Sequence, residues 1–215
     1  MKVRTEARRN AILQAAADLF SEMGYERASM NELARRFGGS KATLYGYFAS
    51  KEELFVAVVE TFSTGYLLEA ARGLSAPEAQ HATLDALLTQ FGERMLGVLS
   101  NHKTAVAVYR MVVAEAGHSE AGKLFHEAGP AEALKALAGV FEAAMARGDL
   151  RRADPQVTAN QFMALVTAEI NAYLFETDPR PLSPEQIRAM VGRAVAMFFH
   201  GASMPPAQEK PCRPA

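Results

Sequence analysis

Residues 40–55, SKATLYGYFASKEELF, hold two lysines, a threonine and two tyrosines within eleven positions, Lys41 to Lys51. Ammonium groups neutralise phosphates, and a threonine offers a hydroxyl and a methyl to base edges. Tyrosines reach phosphate oxygens while their rings cover sugars. The chemistry on offer is recognition of duplex DNA through its major groove. Lys51 falls in the first turn of a helix, where the dipole disfavours a cation unless an anion docks there too. Gly46 costs roughly 1 kcal/mol relative to alanine inside a helix. Either its missing side chain lets the helix approach the DNA wall, or a fraying last turn tolerates it. Catalytic patterns are missing. The five histidines (His81, His102, His118, His126, His200) show no metal spacing, and there is no nucleophile elbow, phosphate loop or dinucleotide fingerprint. The expectation is a non-enzyme without cofactor or metal.

The elements that must position these side chains are readable locally. Ile12, Leu13, Ala16, Leu19, Phe20 and Met23 recur at helical spacing, and Gly24 ends that helix. Ser29 with Glu32 reads as a capping box opening a second helix, 30 to about 37, with Met30, Leu33, Ala34 and Phe37 inward. Gly38 and Gly39 make a tight turn and Ser40 caps a third helix, which turns Leu44 and Phe48 inward and leaves Lys41, Thr43, Tyr45 and Tyr47 outside. Ser50 with Glu53 opens a fourth helix, predicted to run to about 72. Two short helices joined by a glycine turn and braced by a longer one read as a helix-turn-helix.

Downstream the spacing stays helical: about 76–100, about 103–115, a stretch from 119 broken at Gly129-Pro130 and resuming to 147, then 155 to about 176 and 184 to about 201. The fold class is therefore all-α, with about nine or ten helices. The expected organisation is a head over residues 1–50, a larger helical domain over 51–201 and a disordered Pro-rich tail over 202–215. Residues 1–51 hold nine Lys/Arg against five Asp/Glu, a balance of +4, whereas the remainder holds 14 against 19. A basic head on an acidic body suits a polyanion partner. The single cysteine, Cys212, excludes an intrachain disulfide and suits a reducing cytosol. No secretory signal is expected. The apolar run FMALVTAEINAYLF is too short and too polar to span a bilayer.

Residues 11–58, AILQAAADLFSEMGYERASMNELARRFGGSKATLYGYFASKEELFVAV, resemble the DNA-binding domain of the TetR family of bacterial transcriptional regulators. The likeness lies in the opening helix, the GY after it, the Ser-x-x-Glu box, SKATLYGYF and SKEELF. It implies a dimeric all-α regulator, usually a repressor, whose C-terminal domain binds a small ligand and dimerises. Lys41, Thr43, Tyr45, Tyr47 and Lys51 would be the DNA contacts, with Ser29 beside them; Arg4, Arg8 and Arg9 would reach adjacent phosphates or the minor groove. Gly39 departs from the pattern, which usually has a small apolar residue in the turn. EAGHSEAGKLF and RGDLRRADP are similar to the AefR-like branch of the family.

For the larger domain the expectations are a dimer interface and an effector pocket. The last two helices look apolar around much of their circumference (Phe162, Ile170, Val191, Val195 and Phe198), which suits a four-helix bundle between two subunits or packing within one. Tyr109, Val112, Phe125, Met163 and Val166 are candidate pocket walls or ordinary core. Glu115 and Glu169 are candidate ligand-orienting carboxylates or solvated edge residues. The function these observations imply is a cytoplasmic, nucleoid-associated homodimer that leaves a palindromic operator when a small, largely apolar ligand binds. The alternatives are a DNA-bound adaptor that recruits a protein and a helical carrier that binds no DNA.

Overall fold

The computed structural model of the chain describes residues 5–76, 79, 81–176 and 179–203. Arg4, Cys212 and the expected disordered tail from residue 204 onward lie outside the described residues. Among those described there are helices and no strand. The long α1 (Glu6–Met23) and the short α2 (Met30–Arg36) and α3 (Lys41–Tyr47) all begin at side-chain caps. Thr5 accepts from Arg8 N–H, Ser29 from Glu32 N–H, and Ser40 from Thr43 N–H. α1 ends at Gly24 with φ 81°, a backbone state that glycine takes without strain. The Ser29–Glu32 capping box is half made, because the Glu32 carboxylate is drawn to Arg35 at 2.5 Å instead of the Ser29 amide. In the next cap Ser50 accepts from Glu53 N–H, and Glu53 Oε2 accepts from Ala49 N–H at 2.6 Å.

α4 (Lys51–Val59) continues through a π-turn (Glu60–Thr64) into α5 (Gly65–Gly73), so the expected single long helix is interrupted in its middle. The amide of Gly65 reaches the Glu60 carbonyl, and a Cβ on Gly65 would lie 2.4 Å from that oxygen. Only glycine fits this wide turn. The whole run Lys51–Gly73 is long and apolar enough to cross a membrane by composition, but half of its most apolar window is buried, and its apolar face serves the protein's own core.

The remaining helices are α6 (Leu84–Asn101), α7 (Lys103–Glu115), α8 (Ala121–Glu127), α9 (Pro130–Arg147), α10 (Pro155–Thr167) and α11 (Pro184–Ala202). With α4 and α5 taken as one interrupted helix they make ten among the described residues. Gly148 closes α9 at φ 83°, and Pro155 and Pro184 open α10 and α11 behind Asp154 and Ser183 caps. α10 stops at Thr167, short of the expected 176, and Asn171–Phe175 forms a 3-10 turn. Arg110 explains the break: its guanidinium donates to the carbonyls of Tyr173 at 2.6 Å and Glu176 at 2.5 Å.

Two apolar cores result. The first holds α1–α4 together with Val108, Met111 and Val112 of α7 and Ala121 of α8, so the head shares its core with the body. The second holds the inner faces of α5, α6, α9, α10 and α11.

Candidate functional site

α3 is set by Leu44 and Phe48, both buried in the first core, which leaves the opposite side outward. Lys41 is exposed, Tyr45 is 43% exposed, and the Lys41 ammonium lies 5.7 Å from the Tyr45 ring centre. Thr43 is half-buried and its hydroxyl shares a 2.8 Å hydrogen bond with the Ser40 hydroxyl. The first turn of α1 lies alongside. Tyr47 Oη accepts from Thr5 N–H at 3.0 Å, the Arg8 guanidinium stacks on Phe37 at 5.0 Å, and Arg9 stacks on Phe48 at 5.4 Å. Lys41, Arg8 and Arg9 have no carboxylate at ion-pair distance among the described residues. Arg35 and Arg36 do have one: Arg35 pairs with Glu32, and Arg36 bridges to Glu22 on α1 at 2.5 Å, which holds Glu22 below the usual carboxylate range.

Two expected contacts sit differently from the sequence argument. The Lys51 ammonium is not at the free amides of the α4 N-terminus. It donates to the carbonyls of Tyr25 at 3.1 Å and Glu26 at 3.3 Å and lies 4.3 Å from the Tyr25 ring centre. Burial, with Glu52 nearby, pushes the Tyr25 phenol up, so that ring stays neutral. The Tyr47 hydroxyl, expected on the outer surface, is spent on the start of α1. Ser29 is exposed and caps α2. Gly39 has a specific cause: the Phe37 ring lies where its Cβ would be, 2.2 Å away, so the turn is filled by Phe37 instead of by a side chain at 39. A Cβ at Gly46 would meet nothing within 4 Å, so no internal packing demands that glycine.

A second site lies in the body. An apolar cavity of about 210 Å³ is walled by α5, α6, α7 and α10 and by Phe125 and Pro130, with Tyr109, Phe125 and Met163 among its lining residues as expected. Tyr109 and Phe125 meet with their rings tilted by 57° and their centres 5.7 Å apart. Ser63 and Thr64 of the π-turn also line it, and Thr64 donates to the Ala128 carbonyl at 2.8 Å. The only sequence trace of that turn is a Ser-Thr-Gly run inside a helix. The other expected wall residues lie elsewhere. Val112 is buried in the first core and Val166 in the second, where it faces Gly92. Glu115 sits at the seam with the head: its carboxylate crowds Gly24 and accepts from Glu26 N–H at 3.5 Å. Glu169 is exposed and forms a two-pronged pair with Arg193 at 2.8 and 2.5 Å, which holds its carboxyl below the usual range. Asn171 lines the cavity, whereas His126 is exposed on α8.

The residues expected at a dimer interface are interior in the single chain. Phe162, Val191, Val195 and Phe198 are buried in the second core, Phe162 and Phe198 with ring centres 5.3 Å apart, and Ile170 is buried beside the cavity. These helices are apolar around so much of their girth because α10 must pack on α9 and α11, and α11 on α6. The small and apolar residues they leave outward include Val157 and Ala164 on α10, Ala168 just past its end, and Gly192, Ala196 and Met197 on α11, with Val157 51% and Met197 65% exposed.

Known proteins carry the same arrangement. Residues 12–58 match the family described as bacterial regulatory proteins, tetR family, and residues 86–201 match the AefR-like transcriptional repressor, C-terminal domain. The solved structure of the Flavonoid-responsive Regulator FrrA is 31% identical, with a TM-score of 0.68, over 94% of this chain and 100% of that one. Among curated proteins, the transcriptional activator FasR of Mycolicibacterium smegmatis is 46% identical over 55 residues, 26% of this chain and 25% of FasR. The transcriptional regulator YvdT of Bacillus subtilis is 32% identical over 90 residues, 42% of this chain and 46% of YvdT. The chain thus spans between a quarter and a half of the length of these curated relatives. All of these relatives are regulators and none is an enzyme. A helix-turn-helix head, the match to the family's head and the match over most of the body agree: this chain belongs to the TetR family of bacterial regulatory proteins and is a DNA-binding transcriptional regulator with an AefR-like C-terminal domain.

Proposed function

We propose that the protein is a homodimeric repressor that binds a palindromic operator in the cytoplasm and releases it when a small, largely apolar ligand enters the cavity beside the π-turn. In this reading residues 1–50 are the DNA-binding domain and residues 51–201 the effector-binding and dimerisation domain. The observation that carries it is the outer side of α3. Lys41, Thr43 and Tyr45 lie there, with the carboxylate-free guanidinium groups of Arg8 and Arg9 alongside. Lys41, Arg8 and Arg9 neutralise phosphates, Tyr45 and Thr43 meet the groove, and Ser29 contacts a phosphate. Lys51 and Tyr47 act one step back, holding the 24–26 loop and the start of α1 against the recognition helix. Dimerisation through the outer faces of α10 and α11 sets the two heads one helical turn, or a multiple, apart. Release follows when the ligand binds a wider-spaced conformation better than the DNA-competent one.

Repression, in preference to activation, is supported by the match of the body to an AefR-like repressor domain; the likeness to the activator FasR lies over 55 residues only. The cavity supports ligand sensing over a purely recruiting adaptor, which needs no interior space. The test is a gel-shift titration against the DNA upstream of the protein's own gene. A sequence-specific, salt-sensitive shift at two protomers per site is expected. A shift of equal strength on unrelated DNA would overturn the reading.

A further inference from the structure

The cavity beside the π-turn lacks fixed charge. None of its fifteen described lining residues is Lys, Arg, His, Asp or Glu. Its polar groups divide into two sets. Thr64 and Thr167 spend their hydroxyls on the carbonyls of Ala128 and Met163, at 2.8 and 2.9 Å. Ser63, Tyr109, Asn171 and Tyr173 also line the space, and their side chains make no hydrogen bond among the described residues. Ser63 is buried, Tyr109 and Tyr173 are half-buried and Asn171 is exposed, so the Ser63 and Tyr109 hydroxyls are the inner groups free to meet a polar group in this apolar space. The nearest cation in sequence, Arg110, is outside the lining and donates to the carbonyls of Tyr173 and Glu176, although its Nε is buried without a partner.

Size narrows the choice further. The volume is about 210 Å³. It lies below the roughly 300 Å³ at which pockets for drug-sized ligands begin. An ionised ligand would give up its hydration there and meet no countercharge, a cost of several kcal/mol.

We propose that this cavity selects an uncharged, one-ring molecule bearing a hydroxyl or carbonyl, and rejects carboxylates, ammonium compounds and long-chain acyl thioesters. The ring packs against the Tyr109–Phe125 pair, and the oxygen takes hydrogen bonds from the Ser63 and Tyr109 hydroxyls. This rests on the ligand-responsive reading above and adds the chemical class of the ligand.

The experiment is calorimetric titration of the full-length protein with para-ethylphenol, benzyl alcohol and acetophenone, each matched to a charged counterpart: para-hydroxyphenylacetate, benzylammonium and benzoate. The gel shift on the upstream DNA is run on the same samples. At least one neutral probe is expected to bind at least about tenfold more tightly than its charged match. Ser63→Ala and Tyr109→Phe are each expected to weaken it several-fold while leaving the melting temperature nearly unchanged. A charged probe binding as tightly as its neutral match overturns the proposal, and a carboxylate that does so points to Arg110 as its partner. So does failure of every neutral probe in protein that still shifts its DNA, and the DNA-binding reading then stands alone. Neutral binding without any DNA shift upholds the cavity chemistry and sinks the regulator reading instead.

Discussion

At the scale of single residues, the charge map of the head separates the proposed DNA contacts from groups that hold the head together. Lys41 has no carboxylate partner among the described residues, so its replacement would remove the proposed phosphate contact and little else. Lys41→Ala is expected to weaken binding to all sequences alike and to lower the salt slope by about one. Thr43 is different, because it offers a methyl to the groove while Ser40 occupies its hydroxyl. Thr43→Ala is expected to change base preference at one operator position, read by a binding-site selection. Equal, sequence-independent losses for both would remove Thr43 from base recognition. Lys51 belongs with the braces: its ammonium joins the start of α4 to the loop after α1 through two carbonyls and the Tyr25 ring. Lys51→Met keeps the apolar stem and loses the charge. It is expected to cost about 1–2 kcal/mol of stability by denaturant unfolding.

At the scale of elements, the π-turn of α4–α5 connects the two sites. Its Ser63 and Thr64 line the cavity, and the same helix begins at Lys51, beside the recognition helix. π-turns inside α-helices recur at functional positions because they re-aim side chains by one residue. Gly65→Ala would press a Cβ into the Glu60 carbonyl. The turn must then tighten to α geometry, shifting the register between cavity and head. The expected outcome is a loss of about 1–3 kcal/mol and a weakened ligand effect on DNA binding, with the gel shift run with and without para-ethylphenol as readout. Wild-type ligand response in Gly65→Ala would mean the turn plays no part in transmission. α7 makes a parallel connection, with Tyr109 at the cavity and Glu115 against Gly24 and the Glu26 amide.

At the scale of the whole molecule, burial decides which apolar residues are available to a second subunit. Phe198 touches Phe141, Phe162 and Phe199 inside the chain, with ring centres 5.1 to 5.6 Å apart. Phe198→Ala is expected to cost about 3–5 kcal/mol and to unfold the body before it frees a monomer. Met197, one residue along, faces outward. Met197→Glu is expected to leave the fold intact and shift the protein toward monomer, read by sedimentation, with loss of the operator complex. A stable dimer in Met197→Glu would place the interface elsewhere.

The helix-turn-helix, its caps and the inward placement of Leu44 and Phe48 were legible in the sequence. They rest on spacing and on contacts between residues three or four apart, which a chain carries locally. The all-helical class was legible for the same reason: periodicity marks a buried face. Periodicity does not say what covers that face. Phe162 and Val191 read as subunit contacts or inner packing and are interior, Glu115 and Glu169 read as ligand groups or edge residues and are a seam contact and an ion pair, and Lys51 read as an anion contact at the start of α4 and binds two carbonyls. Each of these outcomes depends on partners 24 or more positions away in the chain, and a local pattern carries no record of them. Only the packed tertiary structure brings such partners within a few ångströms, where hydrogen bonds and ion pairs are decided.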